Sequence, residues 1–142
     1  MKTRYETDVV AWANEQAAFV RAGRLDMMDL ENIAEEIEDV GKSEQREISS
    51  RMAVLLMHLL KWQYQPGRRG NSWARTIKIQ RKSLLSRLKK TPSLKAIVND
   101  EEWVQEVYDD AVAQAIHETE LDFPETCAWS MVDVLTEGWL PE

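Results

Sequence analysis

The sequence predicts an all-α fold, an antiparallel helical bundle forming one domain over residues 1–142 around one long central helix. Three observations carry that expectation. Apolar residues recur at spacings of three and four in the segments between breakers, the periodicity of amphipathic helices. The five glycines and four prolines gather mainly where one such segment gives way to the next. No stretch alternates apolar and polar residues as a half-buried strand does, and no internal repeat is present. At 142 residues and 16.5 kDa the chain is long enough for a single hydrophobic core.

The first helix is expected over Tyr5 to Arg21, with Tyr5, Val9, Trp12, Gln16, Phe19 and Val20 on one face and Gly23 as its stop. Asp29 is placed to cap the second, and Glu31 sits in the first turn where the helix dipole favours a carboxylate. Ile33, Ala34, Ile37, Gly41, Ile48, Met52, Leu55, Leu59 and Trp62 all fall within about 60° of Leu30 on a 100° wheel. That phase survives the polar stretch GKSEQRE, so one continuous helix over 29–63, about 50 Å long, is expected rather than a hairpin at Gly41. Val54, Leu56, Met57 and Leu60 lie off the stripe, making the second half apolar nearly all round, as for a helix surrounded by others.

Pro66, Gly67, Gly70 and Asn71 mark the following turn. A third helix is expected over Ser72 to Lys90 with Trp73, Ile77, Gln80, Leu84 and Leu88 inward. Residues 91–94, TPSL, end it and begin a short helical turn through Val98. A fourth helix over Asp100 to Thr119 should bury Val104, Val107, Tyr108, Ala111 and Ala115, and Ser130 should cap one more short helix.

The stretches DLENIAEEIEDVG, HLLKWQYQP, SWARTI and PSL, with a tail ending in LP, resemble the bacterial family of small proteins catalogued as domain of unknown function number twenty-nine. The resemblance runs from Tyr5 to Pro141. It implies an all-helical, single-domain bacterial protein and carries over no activity, no cofactor and no catalytic residue.

Catalytic chemistry finds little support in the residues. There is no phosphate loop, zinc spacing or nucleophile elbow. A di-metal bundle needs inward carboxylates with Glu-x-x-His pairs, and neither His58 nor His117 has a glutamate three residues earlier. Glu31, Glu35 and Glu38 share a helix face, but on a continuous helix Glu35 and His58 are about 35 Å apart. Glu118 and His117 are neighbours in sequence and therefore point to different sides of a helix. Cys127, the single cysteine, is read as a small buried residue and excludes an intrachain disulfide. No metal, cofactor or catalytic residue is assigned, and a carboxylate/histidine metal enzyme ranks a distant third. Trp12, Trp62 and Trp73 fall on apolar faces and are expected in the core, whereas Trp103, Trp129 and Trp139 are read as lids or contact points. The longest apolar run is far too short to cross a bilayer. The N-terminus carries acids and amides in place of a signal peptide's apolar segment, so the cytoplasm is the expected compartment.

Charge is the distinctive feature. The chain has net charge −7, yet residues 61–90 hold ten bases and no acid, while residues 91–142 hold one base and thirteen acids. On the third helix Arg75, Lys78, Lys82 and Lys89 lie within about 60° of one another, opposite the apolar stripe. On the fourth, Glu102, Glu106 and Asp109 form a row opposite theirs. Both rows should face outward, leaving Arg68, Arg69, Arg81 and Arg87 to pair internally with Glu31, Glu35 or Glu38. The expected function is a small non-enzymatic interaction or accessory module that binds an acidic protein surface, or a second copy, through Arg68, Arg69, Arg75, Lys78, Lys82 and Lys89. Nucleic-acid binding through residues 61–90 is the alternative, disfavoured by the acidic net charge. A membrane surface is not expected, because this helix uses its apolar stripe for the core.

Overall fold

A computed structural model describes residues 4–142. The elements in order are α1 (Val9–Ala22), α2 (Leu30–Tyr64), α3 (Asn71–Lys90), α4 (Glu101–Thr119) and α5 (Met131–Val134), with 3₁₀ turns at Leu25–Met27, Pro66–Arg68 and Pro92–Asn99. No strand occurs among the described residues. The fold is all-α with one long helix, as the apolar phase requires, and the 35 residues of α2 run uninterrupted through Gly41. By backbone proximity the chain separates into residues 1–44 and 45–142, and α2 contributes to both units.

In the first unit, α1 begins at Val9 rather than Tyr5 because Asp8 caps it, its Oδ1 accepting from Ala11 N at 3.0 Å. Gly23 ends it in the left-handed region at φ 69°, where its N–H reaches back to the last carbonyls. Only Trp12 and Gln16 of α1 are buried, and both are anchored on Asp29. Trp12 Nε1 donates to Asp29 Oδ2 at 3.1 Å, and Asp29 N donates to Gln16 Oε1 at 2.7 Å. Asp29 also accepts from Asn32 N, which fulfils its expected capping role. Tyr5 packs edge-on against Trp12 and donates its hydroxyl to Glu36, and that bond pushes the phenol up to about 12. The stripe over the first half of α2 is a correction: Leu30 and Ile37 are 59% and 67% exposed. Within this unit α1 and its leading segment are bonded to Asp29 and to Glu36 on one side of α2, and Leu30 and Ile37 stay uncovered.

The second unit holds the core. Ile48, Met52, Leu55, Leu56, Leu59 and Leu60 of α2 are essentially fully buried, and they meet Ile77, Leu84 and Leu88 of α3 and Val107, Tyr108, Ala111 and Ala115 of α4. Side-chain pairs fix the directions. Arg51 meets Gln80 while Lys61 lies under Trp73, so α3 runs antiparallel to α2. Ser49 meets Trp103 while Lys61 meets Glu118, so α4 runs parallel to α2. The chain then doubles back along α4, where Tyr108 and Gln105 donate to the carbonyls of Pro124 and Glu125. Ser130 caps α5, accepting from Asp133 N at 3.1 Å, and Met131 and Val134 close the core.

Five tryptophan assignments change. Trp103 is buried and donates Nε1 to Ser49 Oγ at 2.9 Å, so it is a core residue and not a lid. Trp129 and Trp139 stack edge to face at 5.9 Å and pack partly buried against the core. Trp62 and Trp73, expected inside, are only partly buried, each with a cation over its ring: Arg69 on Trp62 and Lys61 on Trp73.

Leu59→Ala is expected to cost about 2–5 kcal/mol, since Leu59 is wholly enclosed and the vacated space is walled by three helices. Val40→Ala, at an exposed position of the same helix, should stay within about 0.5 kcal/mol of wild type. Urea titrations of the two variants check both values.

Candidate functional site

The residues weighed for catalysis are occupied or separated. His58 Nδ1 lies 2.9 Å from the Val54 carbonyl, one turn back on its own helix, which assigns the proton to that nitrogen. Burial pushes the imidazole below the usual histidine value, and nearby Lys61 adds to the effect. Glu118 is drawn into an ion pair with Lys61, Nζ to Oε2 at 2.7 Å, and that bond holds its carboxyl below the usual carboxylate range. Lys61 is itself buried, its ammonium held between that carboxylate and the face of Trp73 at 4.9 Å. Burial raises the Cys127 thiol, whose sulfur lies 3.5 Å from the Trp129 carbonyl, so it remains protonated at neutral pH. Among the described residues no group of three or more His, Cys, Asp and Glu side chains stands close enough to hold a metal ion.

The cationic side chains form a more definite arrangement. Arg75, Lys78, Lys82 and Lys89 are all exposed on α3, and the opposing row Glu102, Glu106 and Asp109 is exposed on α4. Among the described residues no carboxylate lies within 4.0 Å of Arg75, Lys78, Lys82 or Lys89. Arg68 is exposed in the 3₁₀ turn. Arg69 is engaged at home: its Nε donates to the Trp62 carbonyl at 2.6 Å and its guanidinium stands 5.2 Å from that indole, fastening the α2–α3 turn. Arg87 pairs with Glu47 at 3.7 Å.

Arg81 departs furthest from expectation. Instead of seeking a carboxylate it is buried, 4% exposed, with Nε donating to the Val134 carbonyl at 2.8 Å and Nη2 to the Trp139 carbonyl at 2.7 Å. Burial lowers its pKa from the ordinary arginine value, and Glu137 opposes that shift without coming within ion-pair distance. The consequence is a groove of about 590 Å³ between α3 and the C-terminal tail. Ala74, Ile77, Leu85 and Leu140 give it apolar walls, Arg81 lines it as a buried cation, and Lys78 and Lys82 are the exposed cations beside it. An apolar channel edged by cations, with Glu137 as its one carboxylate, can hold an aliphatic side chain and a carboxylate together. The wheel contained a signal for Arg81: position 81 lies within about 60° of Ile77, Leu84 and Leu88, on the apolar stripe itself. Nothing local announced the tail carbonyls 53 and 58 residues away.

Arg81→Met should free the tail, leaving two carbonyls without their donors at a cost of about 1–3 kcal/mol. Amide exchange at Leu135, Thr136 and Trp139 should accelerate in this variant while that of Leu55 and Leu59 tracks only the global loss. The buried imidazole makes stability pH-dependent. Because its folded pKa lies below the free value of 6.5, the fold favours the neutral ring, so its contribution is complete above about pH 6.5 and declines as the pH falls below it. Glu118, depressed from 4.5, contributes fully above that value and is lost only as the pH falls through its lower folded pKa. Thermal melts across this range should show His58→Gln flattening the upper part of the decline and Glu118→Gln the lower part.

The model of the family described as domain of unknown function DUF29 matches residues 4–140. No curated protein and no solved structure matches the chain. The match takes in α1 through α5, including every residue that lines the α3 groove, and the chain therefore belongs to the DUF29 family.

Proposed function

We propose that residues 45–142 act as a protein-interaction module that receives an acidic protein surface on the outward face of α3. The observation that carries this reading is the state of Lys78 and Lys82: exposed, beside an apolar groove, and without a carboxylate within 4.0 Å among the described residues. Spaced four apart on one helix, they repel each other at a small cost to the fold, and Arg75 one turn earlier adds to that repulsion. An arrangement that costs the isolated helix and that no internal acid relieves is relieved when an acidic partner docks. The apolar stripe Ile77, Leu84 and Leu88 is buried, so α3 has no wide apolar face to lay on a lipid surface. No helix among the described residues is long and apolar enough to cross a membrane. A phosphate backbone would meet the same cations, but the thirteen acids of residues 91–142 repel it.

Titration with polyglutamate, a surrogate acidic surface, tests this reading. Wild type should bind at low salt with an affinity that falls as salt rises. The double variant Lys78→Glu/Lys82→Glu should keep its helical content and lie within about 1 kcal/mol of wild-type stability per site, yet lose the binding. Failure of wild type to bind polyglutamate would remove the proposal, and retardation of duplex DNA that disappears in the double variant would replace it with nucleic-acid recognition.

A further inference from the structure

The geometry points to a second copy of this chain as the acidic partner: residues 30–41 of α2 in one copy lie along the α3 groove of another. This rests on the reading above that α3 receives an acidic surface.

The first half of α2 is an unpartnered amphipathic face. Leu30, Ala34, Ile37 and Gly41 are exposed and lie within about 60° of one another, a strip of spacing i, i+4, i+7 of the kind that anchors a helix in a groove. Glu31, Glu35 and Glu38 run along one edge of that strip, all exposed. Glu38 has only a loose ion pair, 4.0 Å to Lys42, whereas Glu36 on the other side of the helix is taken by Tyr5. Each chain thus carries an exposed apolar strip edged by acids and an apolar groove edged by bases.

The spacings also match. Glu31, Glu35 and Glu38 are separated by four and then three residues; Lys82, Lys78 and Arg75, taken in reverse order, are separated by four and then three. At 1.5 Å rise per residue both sets step by about 6 Å and then about 4.5 Å along their helix axes. Two helices laid antiparallel therefore bring Glu31 to Lys82, Glu35 to Lys78 and Glu38 to Arg75 in one register. A shift of one residue breaks all three pairs. With the charges in register, Leu30, Ala34 and Ile37 face Ala74, Leu85 and Leu140, burying on both sides aliphatic surface that a lone chain leaves in water. The opposing row of α4, Glu102, Glu106 and Asp109, repeats the spacing of four and three but has no such apolar strip: Gln105 beside it is bonded to Asp109 and to the Glu125 carbonyl. It is the poorer occupant.

Sedimentation equilibrium of the 142-residue chain at low and high salt tests the inference. Wild type should self-associate, and more weakly as salt rises. Lys78→Glu/Lys82→Glu and, separately, Glu31→Lys/Glu35→Lys should each weaken self-association about tenfold or more, and mixing the two variants should restore association between them, because the reversed pairs regain opposite charge. Ile37→Asp, whose position is exposed in the folded chain, should weaken it as well while leaving the circular dichroism unchanged. Wild type that stays monomeric while still binding polyglutamate would overturn the second-copy inference and leave the acidic-partner reading standing; loss of both would overturn both. Association abolished by the α3 reversal but untouched by the α2 reversal would assign the groove to a different acidic face and likewise overturn it.

Discussion

Between Ile48 and Leu60, α2 is apolar around nearly its whole circumference, and no arrangement with one neighbouring helix can keep it from water. Everything else in residues 45–142 answers that constraint. The turn at Pro66–Arg68 returns α3 antiparallel along one side, the 3₁₀ segment Pro92–Asn99 sends α4 back along another, and the returning chain with α5 closes what remains. Each covering helix turns one stripe to α2 and therefore its opposite stripe to solvent. The outward cations of α3 and the outward carboxylates of α4 are consequences of this packing: once Ile77, Leu84 and Leu88 face in, Arg75, Lys78 and Lys82 face out.

The core admits two cations at its margin and accommodates them differently. Lys61 is neutralised by a carboxylate that retains contact with water and is supported by an indole face, an electrostatic solution that depends on the ionisation of Glu118. Arg81 is held by main-chain carbonyls, which carry no titratable charge. A planar guanidinium can donate along more than one direction at once, and that suits it to span two points of an irregular tail where an ammonium would serve one. Its positive charge is shared out among dipoles rather than cancelled, and so it still contributes to the field inside the groove.

Periodicity revealed what lies on a common side of each helix, and for long elements that was enough. The phase linking Leu30 to Trp62 led to one continuous helix through Gly41, and Asp29, Gly23 and Ser130 punctuated the chain where their capping chemistry indicated. What periodicity cannot report is whether anything covers that side. Leu30 and Ile37 share the phase of Leu55 and Leu59, but the first two are exposed while the latter two are enclosed in the core with α3 and α4. Trp103 reads as a lid or contact point in the sequence, yet Ser49 gives its indole N–H a partner inside. The groove was half legible: the rim from the wheel, the opposite wall not at all, because the tail is irregular and its position depends on a contact between residues far apart in sequence.

That contact has an evolutionary consequence. Arg81 grips the tail through carbonyls of Val134 and Trp139, groups that every residue type supplies, so the anchor places no demand on which side chains the tail carries. Glu137 and Leu140, which line the groove, are for that reason free to be exchanged without unfastening the wall they belong to. The scaffold separates holding from reading: one arginine fixes where the wall runs, while neighbouring positions on it can drift, so related chains could present differently charged or differently shaped grooves on an unaltered frame.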